Sequence, residues 1–351
     1  MQHKFGALDL IRAGLQDLDR ARTLFDELHN DGIDGDRMRL LLATLEKACD
    51  PDIALSNLVD IIKVMQSQGK DFTNIIADEN SFVRLITVLG VSDEMGKLMR
   101  FRPELVEAAA NDACESHLYN HEQRRAHVLK SVGADPNDHT MPTASLPLAE
   151  AATALRKTYR KQLAAIMAQD ATANDPIEIQ PRISTELSDL ADAALEGALA
   201  IARHEVDGSE HVRFAIIGMG KLGAQELNYV SDVDLIYVVE PADMDTNGMA
   251  LSRIGTKIAT TLQRVCQSVI MGVAEPTLWQ IDGGLRPEGK DGPLVRRLES
   301  HEAYYEQWAE NWEFQALLKA RPVAGDTDLG QAYMDMTRPF VWTASKRDNF
   351  V

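Results

Sequence analysis

Through the first two hundred residues, apolar positions recur every three or four residues, the spacing of one face of an α-helix. In FVRLITVLGVSDEMGKLMRFRPEL (82–105), Phe82, Leu85, Ile86 and Leu89 mark one such face. Gly90 interrupts it, Ser92 with Asp93 and Glu94 reads as the cap and acidic first turn of the next helix, and Pro103 punctuates that one. SVGADPNDHTMPTASLP (131–147) has no periodicity and reads as an exposed loop. Leu155, Tyr159, Leu163 and Ile166 then mark a long helix, and Leu187, Leu190, Ala191, Ala194, Leu195 and Ala198 the buried stripe of another.

The pattern changes after Gly208. HVRFAIIG (211–218), DLIYVV (234–239) and TLWQID (277–282) are short apolar runs that predict strands. Between the last two, Leu251, Ile254, Ile258, Leu262, Val265 and Val269 predict a helix, and Glu302 to Leu318 is helical again. Strand, glycine loop, short helix, strand, long helix, strand: this order predicts a small α/β unit joined to a helical protein, α+β overall. The expected divisions are a helical region over 1–203, a catalytic core over 204–325, and the start of a truncated helical domain over 326–351. The ending SKRDNFV carries no stop signal.

Composition narrows the function classes. The 351 residues are 45% hydrophobic and 26% charged, and the formal net charge is -18. Such a charge repels nucleic acids and anionic membranes. Three cysteines (Cys49, Cys114 and Cys266) are far apart without metal-ligand spacing, so reduced packing thiols in a cytoplasmic protein are expected. The N-terminus lacks a signal-peptide pattern, and no apolar run is long enough for a membrane span.

The candidate chemistry lies in GMGKLGAQELNYVSDVDLIYVV (218–239). Gly218, Gly220 and Gly223 match G-x-G-x-x-G, with Glu240 after the next apolar run, as in a dinucleotide-binding turn. That turn needs a helix of ten or more residues before its second strand, whereas only the seven of AQELNYV separate Gly223 from Ser231. It also leaves Asp232 and Asp234 unexplained. Residues i and i+2 of a strand share a face, so these carboxylates project together and repel unless a cation lies between them. Aspartate oxygens suit Mg²⁺. Asp282, ending the third apolar run, completes a carboxylate cluster if its strand pairs beside the second. The glycine loop and the N-terminus of the short helix after it would then hold phosphate oxygens. A glycine loop, D-x-D and a distal acid suit displacement at a nucleotide phosphorus.

These segments resemble the signature of the bifunctional glutamine synthetase adenylyltransferase/adenylyl-removing enzymes: GMGKLG-AQ-ELN-YV-SDVDL, then IDGGLRPEGKDGPLV (281–295), then YYEQWAENWEFQALLKARPVAGD (304–326) as a following helix. The resemblance runs from about residue 80 to the end, and implies the nucleotidyltransferase fold shared with DNA polymerase β, here a small mixed-sheet domain in a predominantly helical chain. Members of the family carry two such domains in tandem. The N-terminal copy removes AMP from a glutamine synthetase tyrosine by phosphorolysis; the C-terminal copy attaches it from ATP. GMGKLG…ELN resembles the N-terminal copies, the others more often reading GYGKLG…ELGYGSD. An isolated adenylyl-removing domain that regulates nitrogen metabolism is therefore implied, without its second half.

By matching positions, Asp232, Asp234 and Asp282 would be catalytic and bind Mg²⁺, while Gly218, Gly220, Lys221 and Gly223 would cradle phosphates. The implied partners are adenylylated glutamine synthetase, phosphate, ADP or ATP and, through the full-length enzyme, a PII-type signal protein. Ser231 reads as a phosphate contact or a turn cap, and Lys221 as a phosphate ligand or a solvated lysine. Arg286 reads as a phosphate clamp or an ion-pair partner of Glu288. Lys319 and Arg321 would add positive charge at the site or serve a helix C-terminus. Glu226 is expected to tie down the short helix, and Trp308 and Trp312, four apart, to pack in the core. Three rival readings are adenylyl transfer from ATP, a non-catalytic docking fragment and a dinucleotide oxidoreductase.

Overall fold

Acidic and hydroxyl side chains set most helix starts in the N-terminal region. In the computed structural model, which describes residues 5–70, 72, 78–110, 120–243 and 247–344, the chain opens with α1 (Ala7–Arg12), α2 (Leu18–Asn30), α3 (Gly35–Leu45) and α4 (Pro51–Ser67). It continues with α5 (Glu79–Val91), α6 (Asp93–Phe101) and α7 (Pro103–Ala110). The side chains of Asp17, Asp34, Asp50, Asp78 and Ser92 each accept a hydrogen bond from an otherwise orphaned first-turn N–H. Ser92 ends α5 and caps α6, so Gly90 lies inside the last turn of α5 rather than ending it. Leu41, Leu58, Phe82, Leu85 and Leu89 belong to one buried core.

The chain forms two compact units, Met1–Leu118 with Arg160–Gln180 and Tyr119–Tyr159 with Pro181–Val351. Helices α9 (Leu148–Ala171) and α10 (Pro176–Glu205) each contribute to both. The division expected at 203/204 thus falls inside the second unit, because α10 from Ile183 to Arg203 is buried on nearly every side. The loop expected over 131–147 is present, following α8 (His121–Ser131).

The second unit holds β1 (Val212–Gly218), α11 (Gly220–Gly223), β2 (Val233–Pro241), α12 (Gly248–Gln267), β3 (Ile281–Asp282) and β4 (Val295–Arg296). After them come α13 (Leu298–Gln307), α14 (Asn311–Leu317), β5 (Arg321–Gly325) and α15 (Thr327–Ala344). The sheet is mixed, in the order β3-β2-β1-β5 with β4 also on β2. β1 runs antiparallel to β2 and β5, whereas β2 runs parallel to β3 and β4. Side chains alternate between its faces. Ala215, Ile217, Ile236 and Val238 enter a core with Tyr305, Phe314, Leu329 and Tyr333 from α13, α14 and α15. On the other face Phe214 meets Tyr237, whose hydroxyl accepts from Gln263 of α12, and Gly255 lets α12 approach Val239 closely.

Several expectations need correction. AQELNYV forms no helix; the helical turn is made by the glycines themselves. Of TLWQID only Ile281–Asp282 is strand, and the Trp279 indole N–H donates to the Tyr159 hydroxyl. RPVAG, expected as part of the helix over 304–326, instead supplies β5, and α15 packs on the sheet. Val269 lies past α12 and is exposed. Trp308 and Trp312 are 72% and 52% exposed, because Glu310 caps a new helix between them and breaks the common face. Cys266 is buried as expected, Cys49 is exposed, and Cys114 falls outside the described residues.

Asp326 joins β1, β5 and α15. Its carboxylate accepts from Arg213 at 2.7 and 2.9 Å and from the Leu329 amide at 2.8 Å. Burial pushes its pKa up, but these donors outweigh that and leave it below the ordinary carboxylate value. A depressed folded-state pKa contributes stability above the ordinary range and loses it as pH falls below. Asp326→Ala is expected to cost about 1–2 kcal/mol at neutral pH, with a smaller gap from wild type at pH ~3, measured by urea denaturation at both.

Candidate functional site

β1 ends at Gly218, opposite Leu235, and the chain turns at once into α11. Met219 N–H donates to the Asp234 carbonyl at 2.9 Å, which holds the turn against the start of β2. Gly220 has φ 53, and a Cβ there would lie 2.5 Å from Asp234 Oδ2. A Cβ on Gly223 would lie 1.9 Å from the Lys319 carbonyl and 2.5 Å from that of Gly218. Gln225, just past the turn, also has a positive φ, 56°. So Gly220 gives room to a carboxylate and Gly223 lets three backbone segments meet. The antiparallel β1–β2 pairing rules out the parallel crossover of a dinucleotide-binding unit.

Asp234 and Asp282 are register partners across the parallel β2–β3 pair, so their side chains leave the same face of the sheet. Asp232 precedes Asp234 by two residues, exposed at the head of the strand. Burial raises the Asp234 pKa above its ordinary value, and the charges of Asp232 and Asp282 raise it further, with Lys221 opposing. The segment before β3 is pinned by Val233 N–H donating to Gln280 and by Ile281 N–H donating to the Gln267 side chain. Buried Arg156 ties the end of α12 to the loop beyond, donating to the carbonyls of Val265, Ser268 and Glu275. Sequence patterns had not pointed to Arg156 or Gln267.

Three converging carboxylates, one held above its ordinary pKa by burial and then by its neighbours, form a donor set that fits a hard divalent cation such as Mg²⁺. They are spread rather than closed: among the described residues, the His/Cys/Asp/Glu group with ligand atoms all within 4.8 Å is His121, Asp189 and Asp192. Part of the spread has a local cause, since Asp282 Oδ1 accepts from the Gly284 amide at 2.7 Å.

The expected cationic residues are largely engaged elsewhere. Lys221 is exposed beside Asp234, and Ser231 is half-buried ahead of Asp232. Arg286 donates to the carbonyls of Gly283, Lys290 and Gly292, bracing its own loop, while Glu288 pairs with Arg296 instead. Lys319 pairs with Glu226 at 2.6 Å, so Glu226 anchors the approach to β5 and no short helix. Arg321 is bound to Asp192 of α10, 2.6 Å away. Asp192 was missed, although an aspartate and a glutamate four apart within LADAALEGALA were visible as charges on a helix that is otherwise apolar. Behind the turn, a cleft of about 530 Å³ is lined by His121, Asp189, Gln225, Arg321 and Gly325, among others.

Among the described residues no helix is long and apolar enough to cross a membrane. Residues 82–336 match the family model described as glutamate-ammonia ligase adenylyltransferase. The chain is 73% identical over 348 residues to a bifunctional glutamine synthetase adenylyltransferase/adenylyl-removing enzyme of Bifidobacterium longum (strain DJO10A), covering 99% of this chain and 32% of that protein. Proteins of the same description from Cutibacterium acnes and Streptomyces avermitilis are 40% and 38% identical, covering 98% and 97% of this chain and 34% and 32% of theirs. The chain therefore spans about a third of the length of these curated relatives. With the match extending over the glycine turn, all three aspartates and the helices beyond, the chain belongs to the family of bifunctional glutamine synthetase adenylyltransferase/adenylyl-removing enzymes.

Proposed function

We propose that this chain is the adenylyl-removing part of such an enzyme, a nucleotidyltransferase of the DNA polymerase β type acting in the cytoplasm. Its reaction is phosphorolysis of the AMP–tyrosine bond of glutamine synthetase. The observation that carries this reading is Asp234 in register with Asp282, facing a glycine turn with no Cβ in the way. The description shared by the relatives supports the substrate, and GMGKLG…ELN favours removal over attachment.

An oxygen of inorganic phosphate attacks the AMP phosphorus, the bond from phosphorus to the tyrosine oxygen breaks, and ADP leaves while the phenolate takes up a proton. Two anions must meet, and lowering that repulsion is the main task open to the protein. Asp232, Asp234 and Asp282 would hold Mg²⁺, which would neutralise charge on both phosphates. The space at Gly218, Gly220 and Gly223 is taken by Val323, the Asp234 carboxylate and the Lys319 carbonyl, so the turn serves to seat the acids, while exposed Lys221 would contribute a positive charge at the mouth. A PII-type signal protein would act through the full-length enzyme.

Incubating the chain with adenylylated glutamine synthetase, Mg²⁺ and phosphate is expected to release ADP in proportion to unmodified tyrosine. Release of AMP alone, or no release, would overturn phosphorolysis. Incorporation of label from ATP into unmodified glutamine synthetase would assign the opposite direction.

A further inference from the structure

Asp192 is a fully buried carboxylate on α10. Such a group is costly unless its charge and lone pairs are matched. Arg321 matches both oxygens, Nη1 donating to Oδ2 at 2.6 Å and Nη2 to Oδ1 at 3.2 Å, with His121 Nε2 3.5 Å from Oδ2. The same guanidinium reaches the glycine turn. Nε donates to the Gly223 carbonyl at 3.2 Å and Nη2 to the Leu222 carbonyl at 3.0 Å. These carbonyls end a single helical turn: that of Leu222 also accepts from the Gln225 amide at 3.2 Å, and no further helical turn follows to bond that of Gly223. Beyond the turn, Gln225 donates to Asp189, three residues before Asp192 on the same helix. The turn is thus fastened to α10 at two places, and its far end, Gly220, lies against the Asp234 carboxylate.

We propose that Asp192 and Arg321 are positioning residues. Asp192 aims the guanidinium, the guanidinium holds the glycine turn, and the turn sets where the Asp234 carboxylate can stand. Neither side chain touches the reacting phosphates. Only a planar fork serves four acceptors at once, which a lysine ammonium cannot reproduce. The catalytic consequence rests on the proposed phosphorolysis; the mechanical one does not.

Arg321→Lys and Asp192→Asn separate the two. Amide exchange at Gly223, Ala224 and Glu226, which donate to Met219, Gly220 and Lys221, is expected to quicken about tenfold in both variants. Amides within the β1–β2 pairing should keep their protection. Phosphorolysis should lose about 10–100-fold in kcat, with KM for phosphate within about twofold of wild type. The double variant should be no worse than the poorer single one, as for two residues of one linkage.

Unchanged exchange in the turn would overturn the proposal. So would a raised KM for phosphate with kcat preserved, which would put the guanidinium on the phosphate itself. If Arg321→Lys fails to fold, Asp192→Asn, nearly isosteric, carries the test alone. If the wild-type chain shows no phosphorolysis, exchange still decides the linkage, and the failure falls on the proposed reaction.

Discussion

Asp234→Asn is expected to lower phosphorolysis by at least about 10²–10³-fold and, at the same time, to raise the thermal stability of the metal-free chain. Both effects come from one crowded position. Asp234 is half-buried, and its charge is opposed first by burial and then by Asp232 and Asp282. A folded-state pKa above the ordinary value means that the fold holds this proton more tightly than the unfolded chain does. Ionisation of Asp234 therefore opposes folding: the penalty is absent at low pH and grows as pH rises through the folded-state pKa. Asparagine removes it, so the melting temperatures of variant and wild type should converge near pH ~3 and separate in favour of the variant toward neutrality. On the proposed reading Mg²⁺ would bind only the folded cluster, and should raise the melting temperature of wild type more than that of the variant. Melting curves across pH with and without Mg²⁺ check this. A variant that melts lower than wild type at pH ~7 without metal would show that Asp234 is held by favourable contacts, not by crowding.

The parts of this site legible in the sequence are those fixed by neighbours in the chain. Asp232 and Asp234 were legible as a pair because residues two apart along a strand share a face, and VDLIYVV reads as strand. The spacing from Gly223 to Ser231 argued against a dinucleotide-binding turn, and the antiparallel pairing of β1 and β2 agrees for the same geometric reason. The helix boundary at Ser92 was readable because a cap is a contact over three residues.

What stayed hidden depends on distant partners. RPVAG has a proline and a glycine in five residues and no alternation, and becomes β5 only because β1 offers an antiparallel edge. Arg286 and Arg321 carry the residue type of a phosphate clamp, yet acceptors elsewhere in the fold claim their donors: Gly283, Lys290 and Gly292 for one, Asp192 and the glycine turn for the other. Composition cannot distinguish a guanidinium that will meet a ligand from one that will meet a buried carboxylate 129 residues away. α10 was assigned to a helical region apart from the catalytic core for a similar reason. Its apolar stripe was visible, but the partner it packs on was not.

Substituting the glycines of the turn one at a time should separate fold from chemistry. In Gly223→Ala the new methyl would lie 1.9 Å from the Lys319 carbonyl and 2.5 Å from the Gly218 carbonyl. Both obstacles are backbone, so relief requires moving the end of β1 or the approach to β5, at a cost of about 3 kcal/mol or more. Stability and activity should fall together. Gly220→Ala meets a different obstacle, Asp234 Oδ2 at 2.5 Å, the end of a side chain that can rotate away. Its positive φ adds about 1–2 kcal/mol of strain, small enough for the fold to persist. The displaced carboxylate is the larger effect: misplacing a reacting group by about 1 Å costs on the order of a hundredfold in rate. Gly220→Ala should therefore fold and fail to catalyse, and its Mn²⁺ affinity should fall with its activity. Full activity in a folded Gly220→Ala chain would mean that the turn does not set the position of Asp234, and the link from α10 through Arg321 to the acids would end there.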